Sequence, residues 1–107
     1  MAADAGRNLD SYCSPTGDYC ISVLGPKAKP SFVLRSTAFA GQYKLCVKQV
    51  GYERQCGWWQ LKSVGHGVHA SRVAIDEHFF LVGAGDYTFS AFYGGHQLGR
   101  GLRFSRG

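Results

Sequence analysis

The chain has 107 residues, of which 45% are hydrophobic and 14% aromatic, and a formal net charge of +5. That length holds one domain with a real core but not two, and the composition is that of a globular protein rather than a disordered one. No window nears the ~18 consecutive apolar residues of a membrane-spanning helix, and the modest cationic excess suits either acidic partners or simple solubility.

Periodicity is that of strands nearly throughout, and amphipathic helical spacing never persists for three turns. Residues 1–12 are polar and read as a flexible leading segment, with residues 13–107 as the domain. The opening MAADAG resembles an initiator Met placed on a mature secreted chain. The Ser-Pro-Thr-Gly-Asp turn cluster of 13-CSPTGDYC-20 comes next. Strands are predicted at 19–24, 31–38, 42–49, 54–62, 68–75, 86–93 and 96–104, divided by glycine-rich turns such as Gly65-His66-Gly67 and Gly94-Gly95. Residues 76–83 read as a loop crossing the end of the fold, with Phe79, Phe80 and Leu81 as a lid. About seven short strands with regular turn signals predict an all-β, single antiparallel β-sandwich.

The cysteines carry the clearest chemistry. Four cysteines allow three pairings, so geometry must choose. Folding 43-YKLCVKQV-50 against 53-ERQCGWWQLK-62 about Gly51 puts Cys46 opposite Cys56, within disulfide reach in a non-hydrogen-bonded antiparallel pair. Cys13 and Cys20 would then close a small loop of their own. Each bridge would contribute ~2–4 kcal/mol. Disulfides imply an oxidising compartment, so a secreted address is expected, extracellular or in the periplasm or cell envelope. A structural zinc site is the rival, but these spacings miss the usual zinc-knuckle pattern.

Alternation assigns faces. Tyr43, Leu45, Val47, Trp59 and Leu61 go to the core, and Lys44, Cys46, Lys48, Arg54, Cys56, Trp58 and Gln60 to the opposite face. Tyr87, Phe89 and Ala91 point inward, with Thr88, Ser90 and Phe92 outward. Leu102 and Phe104 point inward and Arg103 outward. Lys44, Lys48 and Arg54 therefore surround the expected disulfide, with Trp58 beside it and Tyr52 at the turn. Cations interleaved with aromatics hold anionic or sugar-like ligands through charge, stacking and CH contacts. The competing reading is a solvated face whose lysines deter edge pairing. Arg100, Arg103 and Arg106 form a second basic run, also readable as a polar edge strand.

Catalysis finds little support. His66 and His69 could share a metal with His78 or Asp76, but a strand does not preorganise residues three apart, and H-E-x-x-H is absent. No G-x-S-x-G elbow and no phosphate-cradling glycine motif occurs. Asp76 and Glu77 are neighbours on one chain and point apart, a poor acid–base pair. No catalytic residue, metal ligand or cofactor is therefore expected.

At 85-GDYTF-89 the chain resembles the start of strand F in immunoglobulin-like sandwiches, and 92-FYGGHQLGRGLRF-104 resembles the final hairpin of filamin-type and bacterial immunoglobulin-like domains. The cysteine layout is similar to that of small secreted actinobacterial proteins. The resemblance implies an immunoglobulin-like sandwich with Tyr87 as a tyrosine corner. It departs from the antibody branch, because Cys46 and Cys56 bridge neighbouring strands rather than two sheets. The expected function is a non-enzymatic binding module for an extracellular protein or an anionic cell-envelope glycan, with no nucleic acid and no membrane span. A structural protein pairing through exposed strand edges and, further off, a small metal-dependent enzyme are the alternatives.

Overall fold

A computed structural model describes residues 7–107, so the MAADAG start lies outside the described residues. Nine strands and one short helix follow in chain order: β1 Asn8–Cys13, β2 Tyr19–Leu24, β3 Ser31–Ser36, β4 Gly41–Gln49, β5 Gln55–Gly65, β6 Val68–Ala74, α1 Ile75–His78, β7 Gly85–Tyr93, β8 His96–Gln97 and β9 Leu102–Arg106. All pairings are antiparallel. The hydrogen-bonded path runs β1-β2-β3-β6-β5-β4-β7-β8, with β9 also on β7.

The all-β antiparallel expectation is met, but the architecture is a curled half-barrel rather than two separate sheets of seven strands. The reason is β5. Its first part, Gln55 to Leu61, pairs with β4, and its last part, from Lys62, pairs with β6. An 11-residue strand is long enough to serve both neighbours, so one strand carries the ladder around the bend. Two further differences raise the count. Residues 8–12, expected in the flexible leading segment, lie in β1, and the expected strand 96–104 is broken into β8 and β9 around Leu98 to Gly101.

Curling brings β1 against β9. Asp10 accepts two hydrogen bonds from the Arg100 guanidinium, both 2.8 Å, and one from the Arg103 amide at 2.9 Å. The Arg100 guanidinium beside Asp10 holds its carboxyl down to about 2, against the opposing push of burial. The side chain of Arg106 reaches the carbonyl of Lys27 at 2.7 Å and packs over the Tyr87 ring. The seam is thus closed by arginines rather than by a strand ladder.

The core fills the concave side. Ile21, Phe32, Leu34, Tyr43, Leu45, Tyr87, Phe89 and Leu102 are fully buried, and every inward assignment made from alternation for β4, β7 and β9 holds. Burying each such side chain contributes roughly 1.5–3 kcal/mol. Tyr87 also donates its hydroxyl to the carbonyl of Gly83, four residues upstream, at 2.5 Å. The positive φ of Gly94 and Gly95, 58° and 82°, makes the β7–β8 turn, a conformation that favours glycine.

The segment after α1 closes one end, as expected of a lid, but its three apolar residues divide. Phe79 is buried, Leu81 is half-buried, and Phe80 is exposed. Two glutamine amides hold this segment as a strand would. Gln55 bonds both the N–H and the carbonyl of Phe80, at 2.8 and 2.6 Å. Gln49 does the same for Val82, at 3.1 and 2.8 Å.

Candidate ligand-binding face

The convex face of β5, β4 and β7 is laid out by strand alternation. Lys44 stands opposite Trp58 on one side and Phe92 on the other. Its Nζ lies 6.0 Å from the Trp58 ring and 5.0 Å from the Phe92 ring, so a cation is held between two rings. At such an exposed site each cation–π contact contributes about 0.5–1 kcal/mol. Trp58 is 60% exposed, which is costly for so large an apolar ring and leaves it open to a ligand.

Two positions along the strands, Cys46 pairs with Cys56 and the two are joined, with Cα atoms 4.1 Å apart. Cys13 and Cys20 are joined in the same way, as opposed residues of β1 and β2, with Cα atoms 4.0 Å apart. No cysteine is free. Two disulfides and no thiol are the chemistry of an oxidising environment.

At the turn end, the Lys48 ammonium donates to the carbonyls of Gln49, at 3.3 Å, and Tyr52. Lys48 therefore secures the β4–β5 turn as well as carrying charge. Tyr52 is 48% exposed, and Arg54 is exposed beside it. Trp58 and Arg54 are four residues apart on an extended chain, ~13 Å. Of the five residues singled out from the sequence, Lys44 stands opposite Trp58 within the strands, while Lys48, bonded to the Tyr52 carbonyl, lies at the turn end where Tyr52 and Arg54 are exposed, so they form two groups. The disulfide lies between them, and only an extended ligand could touch both.

Beside Trp58 the surface is concave. Beyond Leu61 strand β5 turns toward β6, and above that junction the two strands part, because Ser71 to Ala74 of β6 pair only with β3. The gap is a cavity of about 500 Å3 whose lining includes Gln42, Trp58, Gln60, Lys62, Ser71 and Arg72. Gln42 and Gln60 are directly opposed in the ladder. Beneath the cavity the Tyr43 hydroxyl donates to Ser71 Oγ at 2.9 Å and ties β4 to β6. Burial of Tyr43 pushes its hydroxyl up to about 12. Alternation already places Gln60 with Trp58, but nothing local marks Arg72, whose approach depends on how β6 docks.

The other predicted groups do not converge. Arg100 and Arg106 are engaged by Asp10 and by the Lys27 carbonyl, so the second basic run is largely a structural seam. His66 sits in a tight turn, His69 lies within β6, and His78 packs edge-on to Trp59 at 5.4 Å. Among the described residues no three His, Cys, Asp or Glu side chains come together as a metal would require. No helix among the described residues is long and apolar enough to cross a membrane.

Comparison with protein-family models, with curated proteins and with solved structures finds no match to the chain.

Proposed function

We propose that this protein is a secreted, non-enzymatic binding module that holds an anionic cell-envelope glycan on the convex face of β4 and β5. The observation that carries the reading is Trp58, a largely exposed indole flanked by the Lys44 ammonium and set on a hairpin stapled by Cys46–Cys56. An indole face stacks on the CH face of a sugar ring, and the ammonium beside it favours an acidic substituent. The staple preorganises both, which lowers the ordering cost of binding. Lys48, Arg54 and Tyr52 extend the site for a longer chain. An extracellular protein ligand is the neighbouring possibility on the same face. The disulfides support the extracellular address, and the hydrogen bond from Tyr87 to Gly83 supports kinship with immunoglobulin-like sheets.

Assembly through strand edges has less in its favour, because the outer edges of β1 and β9 face each other across the Asp10–Arg100 pair. The experiment is titration calorimetry of the wild type and Trp58→Ala with an acidic polysaccharide. The expected result is loss of binding in the variant with the thermal midpoint moved by no more than about 3 °C, as for a surface substitution. Unchanged affinity would remove Trp58 from the site.

A further inference from the structure

The cavity between β5 and β6 has a composition that the stacking face does not explain. Lys62 and Arg72 both line it and both are exposed. Neither makes an ion pair or hydrogen bond among the described residues, whereas Arg100, Arg106 and Lys48 are all committed to partners within the fold. No carboxylate lines the cavity. Two cations without a counter-ion at one concave site repel each other and are relieved by an anion.

The remaining walls suit a sugar. Trp58 supplies an apolar ring on one side. Gln42 and Gln60, opposed across the ladder, supply amide donors and acceptors for hydroxyl groups. The floor is set by Ser71, whose Oγ is fixed by the Tyr43 hydroxyl. The volume of about 500 Å3 falls within the range of small-ligand sites.

We infer that this cavity is the acid-reading subsite of the glycan site. A uronic-acid ring lies against Trp58, Gln42 and Gln60 take its hydroxyls, and Lys62 and Arg72 take its carboxylate. The inference rests on the reading of Trp58 as a glycan platform and adds the substrate class, a carboxylated sugar. Charge-assisted hydrogen bonds to a carboxylate are the strong class, and Arg adds a bidentate fork.

The test uses two probes of equal length, an oligouronide and its fully methyl-esterified form, which keeps the rings and removes the charge. The wild type is expected to bind the oligouronide about tenfold or more tighter than the ester, a preference that falls as salt rises. The double variant Lys62→Gln/Arg72→Gln should lose most of that preference, keeping only the smaller part that Lys44 beside Trp58 supplies, while its thermal midpoint stays near that of the wild type. Trp58→Ala should lose both. A double variant that keeps the wild-type preference undiminished, while Trp58→Ala loses both probes, overturns the subsite and leaves the glycan platform standing. Equal binding of the two probes by the wild type overturns the subsite and, with it, the acid preference assigned to Lys44, leaving Trp58 as a platform for sugars without regard to charge. Binding of neither probe by the wild type, or unaltered binding by Trp58→Ala, overturns both.

Discussion

Replacing Tyr43 with Phe should change how stability depends on alkaline pH. Tyr43 is fully buried, and its hydroxyl bonds Ser71 beneath the cavity. Burial raises its pKa from 10.0 to about 12. A raised pKa means that the neutral form is favoured in the native state, so this contribution is fully present below pH 10 and is lost as pH climbs toward 12. Two units of separation make the unfolding free energy fall by about 1.3 kcal/mol between pH 9 and pH 11 through this residue alone. Tyr43→Phe removes that loss. It also removes the hydrogen bond to Ser71, which costs about 0.5–1.5 kcal/mol at neutral pH. The variant should therefore be less stable than the wild type at pH 7, with the difference closing by pH 11. Urea unfolding at pH 7, 9, 10 and 11, followed by circular dichroism without reductant, measures this. Stability curves that stay parallel from pH 7 to 11 would refute the reasoning, because Tyr43 would then ionise as freely in the native state as in the unfolded chain.

Acid should act on the other side of the molecule. The Asp10 carboxyl, held down to about 2 by Arg100, stabilises the native state above its unfolded pKa near 4, and that contribution is lost as pH falls toward 2. With allowance for solvent screening at a partly exposed pair, Asp10→Asn should remove about 1 kcal/mol of stability at pH 7 and little at pH 2. Denaturant unfolding at both values checks it, and an equal loss at both would contradict it. Gly57→Ala should be destabilising by about 1–3 kcal/mol. Its Cβ would sit 2.6 Å from the Trp59 ring, which is held between His78 and Phe79. A lowered thermal midpoint with altered near-ultraviolet dichroism is the expected readout, and an unchanged midpoint would mean that the Trp59 ring yields freely.

Much of this was legible locally. The 2-residue alternation fixes which of Tyr43, Leu45 and Val47, or Lys44 and Lys48, faces the core, because the pleat leaves no other choice once one face is buried. The Cys46–Cys56 pairing follows from the same hairpin register. Bridging of Cys13 to Cys20 needs only two strands to flank the Ser-Pro-Thr-Gly-Asp turn. Strand β1 was hidden because 8-NLDSYC-13 is polar, and what holds it is partly Asp10 reaching Arg100, 90 positions away. The half-barrel was hidden because β5 pairs with two strands in succession, a property of how β6 and β4 arrive rather than of β5 itself. Arg72 joins the candidate site for the same reason, whereas Lys62 follows Trp58 and Gln60 along β5 by alternation. Arg72 lines the cavity only because the ladder splits, and no local spacing encodes a split.

The most direct test of the account is to follow the backbone amides of isotopically labelled protein by nuclear magnetic resonance while an acidic oligosaccharide is added. The account predicts that shifts move along Gln42–Lys48 of β4 and Gln55–Lys62 of β5, with Arg72 joining them and the Asp10–Arg100 seam staying still. Shifts confined to the seam or to the region around Tyr19 and Arg35, with β4 and β5 unmoved, would contradict it.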